Sequence, residues 1–454
     1  MIGFFLALSL LTPQAHSGPG SSPSAADLAK RIEACVVLVQ QNKPLEAERQ
    51  LRLILKTHPN QADALNLLGT IRAGQGKLDE AEALFRQASK ADAQFIGPHM
   101  NLALLYKLRG QPDKTVLEFQ EVLRLDPKNL EAAFKLSRLY LEQGHPDDCI
   151  KVVEDVRTAV QPFPTYMLLV LGDAYYAKGV FDKAEDSYLL ALNQEGGSED
   201  AILGLAAVAH AKGSESAASA YLSRARELAA GSAEGLYKFG VTAHHLKAFE
   251  DASHALDQAI ALKADDPRYY ISRGAVWLEK PDIFEAERNF RRALDLKPDD
   301  PRAEMYLGYV LLNEKKYPEA HDYIEKSIKG NPTIPETYYY MGLIYQEQNA
   351  DDQAIEFLRK AVQLSPSMGF AHLALGSSLM KLKDYEHARQ ELEIAGKIIP
   401  NQSKVHYQLA LLYARLKDPK RAQEEMNIVQ KLENPAGQAG NQAGSSTPPS
   451  PNPR

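Results

Sequence analysis

Cysteine and tryptophan are almost missing from this chain of 454 residues, which holds two of the first and one of the second. Two thiols are too few for a disulfide framework. An excess of basic charge is missing as well. The 52 Lys and Arg stand against 59 Asp and Glu, a net charge of −7, which argues against nucleic acid as a partner. No stretch alternates apolar and polar residues with the period of a strand, so no sheet is expected. No apolar run reaches the roughly 20 residues of a membrane helix, so no stable membrane span is expected.

Motifs that carry chemistry are absent too. There is no H-E-x-x-H, no CxxC, no Gly-rich phosphate loop and no G-x-S-x-G. His244 and His245 are neighbours in sequence. Adjacent helical residues point about 100° apart, a poor chelate, so a surface pair is expected. Gly74, Gly76 and Lys77 look like a scrap of phosphate loop, yet they fall in a turn, where glycine is expected. The acid pairs Asp265–Asp266 and Asp299–Asp300 precede helices, where carboxylates favour the dipole rather than acid–base work. Asn401-Gln402-Ser403 fits a glycosylation sequon, which matters only in a eukaryotic secretory pathway. The chain therefore reads as a non-enzyme, with no catalytic residue, no metal ligand and no cofactor.

What is present is repetition. A 34-residue pattern recurs twelve times between residues 28 and 436. The eighth position of each copy is small: Cys35, Gly69, Ala103, Ser137, Gly172 and Ala206, then Gly240, Gly274, Gly308, Gly342, Gly376 and Ala410. The twentieth is small as well, from Ala47 and Ala81 through Thr115 and Cys149 to Ala388 and Ala422. Fixed periods of this length mean stacked units that bury their apolar faces on one another. In the copy at 335–368, Tyr338, Met341, Gly342 and Tyr345 mark one helix face, and Ala354, Leu358 and Ala361 mark a second. Proline closes many copies, at Pro59, Pro127, Pro298, Pro332, Pro366 and Pro400. The small columns let two antiparallel helices approach closely. The large residue beside the crossing is read at position 11, as in Tyr106, Tyr140, Trp277 and Tyr413.

The run Leu168-Leu171-Gly172-Tyr175…Ala184…Tyr188…Ala191, and the similar Leu65-Leu68-Gly69…Ala81…Phe85…Ala88, resemble the tetratricopeptide repeat. That resemblance covers about nine-tenths of the chain. It implies an all-α, right-handed solenoid of about twelve antiparallel helix pairs. The array divides into repeats 1–4 (28–163) and 5–12 (165–436), because the phase slips by one residue at Pro164. A change of path is expected there, since proline restrains its own φ and biases its predecessor. The alanine-rich copy at 199–232 is expected to be among the weakest layers. Cys35 and Cys149 occupy small columns three repeats apart and are expected to be structural, since layers are about 10 Å apart.

The two ends differ in kind. Ile2 to Leu11 is apolar, and Ala15-His16-Ser17 follows. Residues 1–17 read as a secretory signal cut after Ser17, although no Lys or Arg precedes the run. A periplasmic or secreted chain is expected, or a cytoplasmic one if the run is no functional signal. Residues 18–27 read as a linker, and 437–454, rich in Pro, Gly and Ser, as a disordered tail. No capping helix fits after the last copy, so its outer face, with Met426 and Val429, is expected to be exposed and open to self-association.

The resemblance implies that positions 2, 5, 9, 12 and 13 of each copy line a concave groove. Those positions carry Phe134, Tyr166, Tyr176, Tyr237, Tyr309, Tyr339, Phe370 and Tyr407 as candidate partner-binding residues. Exposed aromatics anchor peptides at low entropic cost, while tyrosine is also merely tolerated on a half-buried face. The Lys and Asn pair that grips terminal carboxylates in some members is not matched at positions 5 and 9, and Arg268, Arg302 and Lys404 form no clamp by spacing. The expected function is a non-catalytic scaffold or adaptor that binds other proteins or peptides. Two alternatives are an accessory subunit of an envelope, secretion or assembly machine, and a targeting arm for a partner enzyme such as a glycosyltransferase.

Overall fold

Every repeat folds as the period dictates. The computed structural model describes residues 23–433, apart from Pro281, and places twenty-four α-helices and no strand among them. The molecule is an all-α repeat solenoid. From the second repeat on, the first helix of each pair spans 13 residues: α3 (Ala62–Gly74), α5 (Ile96–Leu108), α7 (Leu130–Glu142), α9 (Thr165–Ala177) and α11 (Glu199–Ala211). The row continues with α13 (Ala233–His245), α15 (Pro267–Glu279), α17 (Pro301–Asn313), α19 (Pro335–Glu347), α21 (Gly369–Lys381) and α23 (Ser403–Arg415). Asn129, Asp266 and Asp300 cap their helices through side-chain oxygens, so the acids before those helices are caps.

One turn joins the two helices of a repeat. The residue at position 15 takes a left-handed φ, as at Gly110 (63°) and Lys315 (60°), and the next N–H reaches back to the carbonyl at position 11. This is the Schellman closure, which satisfies the last carbonyls of the first helix. In the eighth repeat the position holds Pro281, outside the described residues.

The small columns pack as expected, but against a different partner. A Cβ on Gly69 would lie 2.6 Å from Phe85, one on Gly274 2.6 Å from Phe290, and one on Gly308 2.6 Å from Ile324. Those large residues stand at position 24 of the same repeat, so the second helix fills the gap, not the position-11 residue read from the sequence. The position-11 tyrosines tie neighbouring repeats through their hydroxyls instead. Tyr106 donates to Glu82 and accepts from Arg86, and Tyr413 donates to Glu393.

Two further links recur between repeats. Position 4 reaches back six residues to a carbonyl of the preceding repeat: Tyr270 to Ala264, Tyr338 to Pro332, His372 to Pro366 and His406 to Pro400. A basic residue at position 14 pairs with acids of the repeat before it. Arg109 meets Asp79 and Glu82, Lys178 meets Asp147, Lys212 meets Asp182 and Glu185, and Lys280 meets Glu250.

The chain divides after Tyr221 into two compact units. That boundary lies within α12 (Glu215–Ala229), the second helix of the alanine-rich copy, where few large apolar side chains are available to bury. It does not fall at Pro164. One core cluster runs from Val156 through Phe163 to Met167, because Phe163 fills the joint at the phase slip. Three other expectations need correction. α1 (Pro23–Gln40) starts inside the stretch read as a linker, with Pro23 at its first residue, where proline is pre-organised for a helix. Val429 is buried, not exposed, because it stands at position 27 and faces its own repeat. His244 is buried against Phe249, with ring centroids 5.8 Å apart, so only His245 of the pair lies at the surface. Cys35 and Cys149 are free and buried, and burial pushes the Cys149 thiol up to about 12. The signal-like run 1–17 and the tail 437–454 lie outside the described residues. No described helix is long and apolar enough to cross a membrane.

Candidate functional site

Most consecutive first helices touch within each unit: α3 with α5, α7 with α9 and α9 with α11 in one, and α13 through α23 in sequence in the other. Consecutive second helices do not meet to that degree. Each stack therefore bends toward its first helices, and the outward positions of those helices line an inner face. The eight aromatic candidates stand at the inner-row positions of these helices, three in the first unit and five in the second.

In the first unit, Phe134 of α7 and Tyr166 of α9 meet edge to face with centroids 5.3 Å apart. Phe134 is half-buried and Tyr166 is 43% exposed. Tyr176, about one turn further along α9 from Asp173, packs against Phe181 at 5.7 Å. Charge flanks this aromatic patch. Arg138 lies 3.7 Å from Asp173, and the Tyr188 hydroxyl donates to the same carboxylate at 2.8 Å.

The second unit treats its five differently. Tyr407 is 45% exposed and Phe370 is half-buried. Tyr309 and Tyr339 are 7% and 6% exposed, which contradicts their reading as exposed anchors. The cause is that α17 and α19 touch, so Tyr309 lies 4.9 Å from Tyr340 and Tyr339 5.4 Å from the same ring. Burial pushes both phenols above their ordinary pKa. Tyr237 is half-buried and covered from two sides. It packs on Tyr269 at 5.2 Å, and the Arg268 guanidinium lies 5.0 Å over its ring.

Arg268 is not an open basic site. It donates to Glu234 at 2.7 and 3.2 Å and to Asp266 at 2.7 and 3.1 Å. Its hydrogen bonds to the Asp266 and Glu234 carboxylates raise its pKa further above the usual guanidinium value. The acids at positions 2 and 34 were legible as charges but not as its partners, because both belong to the seventh repeat and Arg268 to the eighth.

Selecting only aromatics missed an aliphatic strip at the same positions. Leu278, Leu312, Leu343 and Met380 are half-buried and Leu411 is exposed, one for each of the last five repeats. The positional reading that found the tyrosines would have found these. Together they form an apolar surface with polar edges, suited to shape-based recognition of a polypeptide rather than to chemistry. Among the described residues no cluster of His, Cys, Asp and Glu has the geometry to hold a metal.

Tetratricopeptide repeat profiles match residues 36–94 and 282–335, 108–169, and 335–368. No curated protein matches the chain. Among solved structures, yeast Tom70 is 14% identical with a TM-score of 0.44, covering 90% of this chain and 92% of that one. Pseudomonas aeruginosa PilF is 18% identical with a TM-score of 0.42, covering 47% and 95%. YrrB, described as a TPR protein with an unusual peptide-binding site, is 20% identical with a TM-score of 0.34, covering 40% and 94%. With the profile matches beside helix pairs in one register, small residues at positions 8 and 20 and a large one at 24, the chain belongs to the tetratricopeptide repeat family.

Proposed function

We propose that this protein is a non-catalytic adaptor that holds apolar polypeptide segments along the inner faces of its first helices. The observation that carries the reading is the exposure of Tyr166 and Tyr407 where packing within the repeat does not require them. The Phe134–Tyr166 pair supplies a rigid anchor in the first unit. The strip from Leu278 to Leu411 supplies a row of apolar contacts in the second, one for each repeat. Such a row fits an extended segment or an amphipathic helix.

The test places a photocrosslinking residue at Tyr166 and at Tyr407 and identifies adducts by mass spectrometry. Recovery of the same polypeptides at either inner-face site, and not at the outer residue Leu117, is the expected result. Equal labelling at Leu117 overturns the reading. Export is part of the proposal, supported by the apolar run Ile2–Leu11 and the small residues Ala15 and Ser17. Amino-terminal sequencing of the mature protein is expected to begin at Gly18, and an intact Met1 overturns export.

A further inference from the structure

The last repeat presents a face that every earlier repeat of the second unit covers. In the eleventh repeat, Ala388 and Leu392 of α22 (Tyr385–Ile398) are fully buried. Val405 and Leu409 of α23 pack over Gly396 of the same helix. The corresponding Ala422 and Met426 of α24 (Pro419–Glu433) are only partly buried. They line a hollow of about 600 Å³ with Leu411, Ala414, Lys417 and Gln423.

The eleven internal joints define what fills such a hollow. It is a helix with an apolar residue at its third position, Thr337 of the tenth repeat excepted, and a large one, mostly leucine, at its seventh. At four of those joints a Lys or Arg at its fourteenth position meets an acid at position 18, and at two of the four also one at position 21. The twelfth repeat has Lys420 and Gln423 at those two positions. The charge is reversed, so a complementary helix carries an acid where the internal helices carry a base. We propose that this face docks an amphipathic helix of another protein, apolar at positions 3 and 7 and acidic at position 14, extending the array in trans. The inference does not depend on the inner-face reading.

Two other occupants fit less well. The outward face of α1 shows Lys30, Arg31 and Glu33 at positions 3, 4 and 6, all exposed, with Ala34 at position 7. A second copy docked head to tail would bring Lys30 and Ala34 to the third and seventh positions, a charged and a small residue where the internal joints hold apolar and large ones. A two-fold pairing of the face with itself also brings two basic edges together. Residues 434–454 contain no Leu, Ile, Val, Met or aromatic residue to enter the hollow.

The test uses the full chain and two stapled, fluorescent peptides copying residues 402–418, with Leu416→Glu in one and Leu416→Lys in the other. The Glu peptide is expected to bind about fivefold more tightly, the scale of one exposed ion pair. Lys420→Glu is expected to invert that order, and Met426→Glu to abolish binding of both peptides. Unchanged circular dichroism and melting confirm that the variants fold. Failure of both peptides to bind, or no inversion with Lys420→Glu, overturns the proposal. A dimer in sedimentation that Met426→Glu dissolves assigns the face to a second copy and also overturns it. Binding that appears only after residues 434–454 are removed assigns the face to that segment and overturns it likewise.

Discussion

His372 and Glu391 form a clasp within the eleventh repeat, with Nδ1 2.6 Å from the carboxylate, while Nε2 lies 3.0 Å from the Pro366 carbonyl of the repeat before. Both ring nitrogens face acceptors, so the imidazolium satisfies the site better than either neutral tautomer. Burial by itself lowers the imidazole pKa. The hydrogen bonds to Glu391 and the Pro366 carbonyl outweigh it and hold the pKa above its ordinary value. A raised folded pKa means the clasp stabilises fully below the unfolded pKa of about 6.5 and loses that contribution as pH rises through the folded value. His372→Ala is therefore expected to cost more stability near pH 5.5 than near pH 9. Urea melts of both proteins at the two pH values check this, and an equal loss at both would remove the clasp from the account.

The glycines of the array divide by what surrounds them. A Cβ on Gly308 would lie 2.6 Å from Ile324 and 3.3 Å from the Ala320 carbonyl, whereas one on Gly74 meets nothing within 4 Å. Gly308→Ala is expected to destabilise by about 1–3 kcal/mol through overpacking. Gly74→Ala, on an open helix end, is expected to stabilise by up to about 1 kcal/mol. Thermal melts of the two variants should move in opposite directions.

The repeat, its period and its helices were legible because each apolar column recurs in twelve copies, so one odd residue could not hide it. The partner of the position-8 column was not, because both position 11 and position 24 are large and sequence does not say which one crosses. The compact-unit boundary was half legible. The alanine-rich copy at 199–232 stood out as weak, but Pro164 looked like the stronger break, and Phe163 closes that joint with its own side chain. The inner face was legible by position and not by exposure. Tyr339 and Tyr407 both stand at position 5, yet the first packs on Tyr340 and is 6% exposed while the second is 45% exposed.

Position 15 offers a test of turn chemistry. Lys315 holds a φ of 60° that Gly110 holds at 63°. A side chain in that region carries a steric cost that glycine lacks. Lys315→Gly is expected to raise stability by about 0.5–1 kcal/mol, and Gly110→Lys to lower it by a similar amount. Chemical denaturation of each variant checks the sign, and a loss on Lys315→Gly would mean that the lysine side chain has a contact that matters more than its backbone.

Tyr309 and Tyr407 separate packing from binding. Tyr309 is 7% exposed inside the core of the second unit, so Tyr309→Ala leaves a cavity and is expected to cost about 3–5 kcal/mol. Tyr407 is 45% exposed on α23, so Tyr407→Ala is expected to leave the melting temperature nearly unchanged while weakening capture of bound polypeptide. Melting curves and pull-downs on the same two variants decide between a binding face and a tolerated surface. If Tyr407→Ala retains every partner at wild-type yield, the ring is ornament on the helix, and the apolar strip from Leu278 to Met380 must carry recognition without it.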